Sequence, residues 1–520
     1  MDSSCYTCRR RRIECEMTQP PCKKCKKAGL ECFQKRPFRW VQGAAFRGTM
    51  SKASVKDVSV ASTAAANTRP SSRKKGNAIV TTTTHPESTL PMGDGTFAHL
   101  ILSVPLSLDD PYSSSLDRTS KYYLYYYTKC VCKLFIMYDS NKNPLRNLIP
   151  VALDNPVLFN SIATLSARHL ANADRAFQQP EDVARSEFND AHHDALLFKY
   201  KAIQGLSLAL DDAMSCRKDT TVASAFLLIF LDLLESGSDK WNFHLEGIKG
   251  LIAQIQLERG PQAGREQDLG ETVQGIRAFI IRQIYLIDTL GATYTRPRLL
   301  SNSISLQQSN TPLPMSVDKS YLGCPEYLLD ALRFFSACRD LLASSEILDE
   351  GTLHSIIQEL SAVLDATQSF DFYTWASSLP QPHPPSTQDI QMLATLAQSY
   401  KVGTLIYGKR VLGALNGEST SQDDLVCELI DIIEALRRDE ALFKCILWPM
   451  FVAGLESRQQ PQREYVISCL EKFWLETKCI NVVNAGDLLR NFWRQEDSET
   501  MLLSQWIFNI GRLGGDWLLI

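Results

Sequence analysis

CYTCRRRRIECEMTQPPCKKCKKAGLEC, residues 5–32, holds six of the chain's fifteen cysteines and eight Lys or Arg. Two residues separate Cys5 from Cys8, six separate Cys8 from Cys15, and six more lead to Cys22. The spacing then repeats, with two residues to Cys25 and six to Cys32. The second half is the first shifted by 17 positions, down to Ile13-Glu14 and Leu30-Glu31 ahead of the last cysteine of each half. A repeat this regular predicts two similar substructures facing each other.

Three chemistries use six thiols at this density. A disulfide framework needs an oxidising compartment, and the MDSSCYTC start carries no apolar signal segment. A single four-thiolate zinc site leaves two thiols over and ignores the repeat. Two zinc ions need eight ligand contacts in two tetrahedra, and six sulfurs supply eight when two of them bridge. The repeat requires the bridging pair to be equivalent, and Cys5 with Cys22 is one consistent choice. Two Zn(II) with six thiolates leave an anionic cluster, which nearby Arg and Lys offset while lowering the thiol pKa values.

With all six cysteines in register, residues 5–32 resemble the fungal zinc binuclear cluster, the DNA-binding module of a large class of fungal transcription factors. The resemblance implies two zinc ions per chain held by Cys5, Cys8, Cys15, Cys22, Cys25 and Cys32. It also implies that the first and fourth cysteines, Cys5 and Cys22, bridge. Pro20 matches the family's loop proline, and Glu14 stands where the family usually has a basic residue. Each half should form a short helix after its first cysteine pair, with Gly29 ending the second. Arg9, Arg10, Arg11 and Arg12 run along and past the first helix. An arginine fork matches a guanine edge in the major groove. By resemblance, Arg11 and Arg12 lie where the bases of a CGG-type triplet of double-stranded DNA would be read. Lys23, Lys24, Lys26 and Lys27 belong to the other half and are expected at phosphates. A solvated charge run that only balances the cluster, or a nuclear-import signal, is the plainer reading of the same residues.

Charge follows this division. Residues 1–50 carry twelve Lys/Arg against four Asp/Glu, whereas residues 99–520 carry 37 against 51. A basic head on an acidic body leaves one face suited to DNA. The expected organisation is a zinc module over 1–34, a basic extension over 35–48, a flexible Ser/Thr-rich linker over 49–115 and an all-helical domain over 116–520, with a seam at 301–320. The linker shows no apolar period and no heptads, so any homodimer should be made by the helical body.

The fold class expected is mainly α. Asn155 before Pro156 reads as a helix start, with Leu158, Ile162 and Leu165 on one face. Helices are expected near 119–138, 181–210, 219–235, 240–257, 272–293, 325–343, 352–367, 388–414, 422–437, 440–456, 462–481 and 485–496. AFLLIFLDLL, 225–234, is too short to span a bilayer and contains Asp232, so it reads as a buried core helix and no membrane partner is expected. Four stretches, at 35–48, 134–170, 198–210 and 241–252, give the body its resemblance to the fungal-specific transcription factor domain, which implies a regulatory role without catalytic residues.

No phosphate loop, GxSxG or HExxH occurs, so no enzyme activity is expected. His192-His193-Asp194 is the one histidine cluster, and neighbouring helical positions point apart. The nine other cysteines read as small apolar residues. From Asp340 to Asp389 eight acids occur with no Lys or Arg; this is either an activation segment or the outer face of ordinary helices. Taken together, the residues predict a nuclear, zinc-dependent, sequence-specific transcription regulator of a metabolic or secondary-metabolite gene set, working with the transcription machinery or co-regulators. The alternative is a zinc-held interaction module that recruits other factors and binds DNA without specificity.

Overall fold

A computed structural model describes residues 5, 8, 11, 13, 15, 22–28 and 32 of the N-terminal part. Beyond it, residues 116–177, 190–238, 240–258, 271–295, 320–343, 349–380, 386–418, 420–498, 506–509 and 515–520 are described. The expected extension and linker lie outside these residues, as does nearly all of the seam at 301–320. The chain divides into two units, Met1–Leu108 and Asp109–Ile520.

Among the described residues every named element is a helix, and the one β-bridge joins Ser238 to Trp517. The first unit contributes α1, Lys23–Lys27. The second opens with α2 (Arg118–Tyr126), which continues as a π turn, Tyr127–Val131. Next come α3 (Leu148–Leu153), α4 (Pro156–Asn172), α5 (Asp190–Asp211) and α6 (Asp219–Glu235). They are followed by α7 (Trp241–Glu258), α8 (Glu271–Ala292), α9 (Glu326–Ala343), α10 (Glu350–Gln368) and α11 (Phe372–Ser378). The last are α12 (Thr387–Asn416), α13 (Asp423–Leu436), α14 (Glu440–Phe443), α15 (Leu447–Glu456), α16 (Gln460–Thr477), α17 (Ile480–Asp497) and α18 (Trp506–Asn509).

Local chemistry explains the boundaries. Asn155 Oδ1 accepts the Leu158 amide at 3.0 Å, and Pro156 occupies the first turn of α4, where its missing amide is not needed. The expected helix over 440–456 is broken instead into α14 and α15. In a continuous helix the amide of residue 449 would bond the Cys445 carbonyl, but residue 449 is proline. Its ring lacks that donor and collides with the carbonyl four residues back. The freed Cys445 carbonyl accepts the Tyr400 hydroxyl at 2.7 Å. The expected helix over 462–481 stops at Thr477, because Lys478 adopts a left-handed φ of 51°. The Asn172 amide holds the Lys478 carbonyl at 3.0 Å. The expected helix over 119–138 loosens into the π turn, and α3, α11 and α18 are too short to show a periodic signature.

Two helices centre the packing. In α6 every residue from Thr221 to Leu234 is buried, as expected for AFLLIFLDLL; its neighbours are α4, α5, α7, α8 and α17. The 30-residue α12 runs against α9, α10, α11, α13 and α15. Trp448 stacks on Tyr400 at 6.1 Å and lies over Gly403, where a Cβ would come within 2.7 Å of its ring. The acidic stretch has structural work: Asp349 and Asp371 cap α10 and α11, and Asp389 closes the capping box of α12 with Ser386. These caps favour the outer-face reading of that stretch.

Charge is also buried in the body. Arg410 and Glu456 pair through two bonds of 2.6 Å at 3% and 1% side-chain exposure. Trp506 donates to the same carboxylate at 2.7 Å. Arg410→Met should therefore cost about 3–5 kcal/mol in urea unfolding of the body, because it strands a buried charge. Arg410→Met with Glu456→Gln should recover most of that loss. A single substitution costing under about 1 kcal/mol would show that the pair behaves like an exposed one.

Asp232, on α6, faces His244 at 3.6 Å. Burial pushes the Asp232 carboxyl up to about 8 and His244 down to about 3. Near neutral pH the contact is therefore a protonated acid beside a neutral imidazole. The folded carboxyl holds a proton that the unfolded chain releases near about pH 3.9, so its contribution to stability is lost as pH rises towards 8. His244 tilts stability the other way only below its unfolded value of about 6.5. Asp232→Asn should flatten the decline in unfolding free energy between about pH 6.5 and 8. An unchanged slope in that window would place the proton elsewhere.

Candidate metal centre and nucleic-acid interface

The six cysteines of residues 5–32 converge. Cys5, Cys8, Cys22 and Cys25 are at most 1% exposed, and Cys15 and Cys32 pack against them half-buried. The repeat in sequence is a repeat in space. The Cys8 amide donates to Cys5 Sγ and the Cys25 amide to Cys22 Sγ, both at 3.4 Å. The Cys5 amide donates to Cys15 Sγ and the Cys22 amide to Cys32 Sγ, both at 3.3 Å. Each of these amide–sulfur bonds in one half has its counterpart 17 residues on. Such donors stabilise thiolate over thiol.

Two groups of four sulfurs form, Cys5, Cys8, Cys15 and Cys22 in one and Cys5, Cys22, Cys25 and Cys32 in the other, each within 4.8 Å. Cys5 and Cys22 belong to both. Their sulfurs lie 3.8 Å apart, and Cys8 Sγ is 3.7 Å from Cys22 Sγ. A tetrahedron of Zn–S bonds about 2.3 Å long has edges of about 3.8 Å, so the donor set fits two zinc ions sharing two thiolates. Without metal the thiols resist joint ionisation: the Cys25 amide brings Cys22 down to about 6, while burial pushes Cys25 up to about 12. Bound cations remove that conflict by replacing protons.

Around this centre, Cys22 caps α1, whose Lys23, Lys24, Lys26 and Lys27 are all exposed. Three of the four lie in its last turn, where positive charge suits the helix dipole. Arg11 is exposed, and its amide and that of Ile13 both bond the Cys8 carbonyl at 3.1 Å, forming a tight turn. Arg9, Arg10, Arg12, Glu14, Pro20 and Gly29 lie outside the described residues. The amide–sulfur bonds to Cys15 and Cys32 were not foreseen from the sequence; the 17-residue repeat was the signal that each would be duplicated.

Residues 3–40 match the fungal Zn(2)-Cys(6) binuclear cluster domain, and residues 122–519 match the fungal specific transcription factor domain. The chain belongs to this family of fungal transcription factors. The zinc cluster transcription factor therefore carries two zinc ions in its N-terminal module and a large helical domain behind it. It is 23% identical over 415 residues to the acriflavine sensitivity control protein acr-2 of Neurospora crassa, covering 76% of this chain and 66% of that protein's length. No solved structure matches the chain.

Other residues singled out in the sequence do not gather into a site. His192 Nδ1 lies 3.1 Å from an Arg168 nitrogen, whereas His193 is exposed and Asp194 accepts the Tyr123 hydroxyl at 2.8 Å. Of the nine other cysteines six are buried, Cys130 and Cys216 are half-buried and Cys427 is exposed. No helix among the described residues is long and apolar enough to cross a membrane.

Metal analysis of variants tests the sharing. Cys5→Ser or Cys22→Ser removes a sulfur from both groups, so bound zinc should fall below one ion per chain. Cys15→Ser disturbs one group and should leave about one ion bound. Equal losses for all three would argue against shared sulfurs.

Proposed function

We propose that the zinc module reads a CGG-like triplet in duplex DNA and that the chain acts in the nucleus on a metabolic or secondary-metabolite gene set. The observation that carries this reading is the paired thiolate centre with a lysine-bearing helix, α1, extending from one of its shared sulfurs. A fixed centre holds short basic elements rigidly, so that side chains reach the groove without first paying an ordering cost. Arg11 and Arg12 take the base edges of the triplet, with Arg9 and Arg10 beside them at bases or phosphates. Lys23, Lys24, Lys26 and Lys27 take phosphates, which set register and carry no sequence information. Cys5 and Cys22 would bridge the two ions, and each of the other four cysteines would hold one.

A triplet is too short for strong selectivity when a correct pair contributes roughly 1–3 kcal/mol. Coupling two heads through the helical body raises the local concentration of the second. The composition of residues 49–98 supports a linker with reach of about 35–42 Å over about 50 residues, which tolerates several half-site separations. The relative named for control of acriflavine sensitivity favours a second output, genes that set sensitivity to a toxic compound. Recruitment of other factors with nonspecific DNA binding is the competing mechanism.

Selection of bound duplexes from a random pool, using full-length zinc-loaded protein, separates these mechanisms. Enrichment of a CGG-like triplet supports direct reading, and a pool left unenriched supports recruitment. Arg12→Ala should relax the enriched triplet and cost about 1–3 kcal/mol. Lys24→Ala should weaken all sequences alike and reduce the salt slope by about one. Two variants that scale affinity without altering base preference would overturn the assigned reading edge.

A further inference from the structure

Five of the eleven exposed large apolar side chains among the described residues fall on α5 and the turn after it: Leu196, Leu197, Tyr200, Leu208 and Met214, at 40–72% exposure. The inner face of α5, with Ala191, Ala195, Phe198, Ala202 and Leu206, is buried and packs mainly on α4. The outer face thus exposes large apolar side chains, with Lys201 and Gln204 between them, on a helix that has already buried an apolar face. Positions 197, 201, 204 and 208 follow the i, i+4, i+7, i+11 rhythm of a single helical stripe. Leu197 and Leu208 flank Lys201 and Gln204, and all four are exposed. An ordinary solvated face would alternate charges here; this one leaves leucines in water.

The stripe carries its own complement. Lys201 lies ten residues before Asp211, both are exposed, and Lys201 leans over the Phe198 ring at 5.6 Å. Paired in parallel, two copies of α5 would set Lys201 against Lys201 and Asp211 against Asp211. Paired antiparallel about a two-fold axis level with Leu206, Lys201 meets Asp211 of the second copy, twice. The same axis brings the two Leu208 side chains within about one turn of each other, since four residues rise about 6 Å. It also brings Leu197 level with the turn after α5 of the second copy, which carries exposed Met214. Like charges separate, unlike charges meet and apolar ends are covered, which is the self-complementarity an isologous contact requires.

We propose that the outer face of α5 is the contact through which a second copy of this chain docks, antiparallel and two-fold, with Lys201–Asp211 ion pairs on both sides of a central Leu208 pair and Leu197 at each outer end. This deepens the paired-head reading by naming the surface that couples the heads. One helix face is smaller than the about 800 Å² per partner of a standard interface. The contact is therefore weak and reversible, and it tightens when two heads share one duplex.

Sedimentation equilibrium of full-length, zinc-loaded protein without DNA tests the contact independently of base reading. The unmodified protein should pass from monomer to dimer at or below roughly 100 μM. Leu208→Glu and Lys201→Glu should each weaken the dimer at least about tenfold. Both positions are exposed, so unchanged circular dichroism should accompany the loss. Lys201→Glu combined with Asp211→Lys in one chain should restore the dimer, because each new charge again meets its opposite. A protein that stays monomeric throughout, or a dimer indifferent to Leu208→Glu, overturns the proposed face. A double variant that stays monomeric overturns the antiparallel register.

Discussion

Convergence of six thiols into two groups of four, with Cys5 and Cys22 common to both, is the constraint on which the N-terminal module depends. Its buried cluster consists of Cys5, Cys8, Cys22 and Cys25, with Cys15 and Cys32 packed against them. A segment of this length cannot bury enough apolar surface to offset its ordering entropy. A structural zinc site contributes roughly 10–16 kcal/mol of apparent binding free energy instead. The same centre creates the need for basic neighbours, since six thiolates outnumber the four positive charges of two zinc ions. Exposed Lys23, Lys24, Lys26 and Lys27, on the helix that starts from Cys22, carry charge of the sign that need calls for.

The helical body solves a different problem, that of keeping polar groups inside a large core. Arg410 and Glu456 are satisfied together, with Trp506 and the Thr420 carbonyl completing the set. Asp232 follows the other route and gives up its charge. The Arg410 set ties α12, one of the two central helices, to residues 456 and beyond. The bridge from Ser238 to Trp517 and the Leu518 amide bond to the Gly237 carbonyl at 2.8 Å tie in the last described segment.

What was legible in the sequence was what local spacing decides. Six cysteines in register needed no knowledge of tertiary structure, and neither did Asn155 ahead of Pro156. The break before α15 was missed although Pro449 cannot supply the amide a continuous helix requires, because the apolar run 440–456 reads as one helix. Tyr400 capping the Cys445 carbonyl was not legible, since the partners lie 45 residues apart. The Arg410–Glu456 pair and the outer face of α5 share that character: whether Leu197 or Leu208 lies in or out depends on which stripe of α5 meets α4. The role of the acids at 349, 371 and 389 emerged only with the helix starts they cap.

The sharing of two sulfurs is tested most directly by thiol alkylation during zinc titration of the metal-free protein, followed residue by residue in the mass spectrometer. The result expected is joint protection of Cys5, Cys8, Cys15, Cys22, Cys25 and Cys32, complete at two zinc ions per chain. Protection of four thiols that saturates at one ion, with two of the six still reactive, would contradict the two-ion centre.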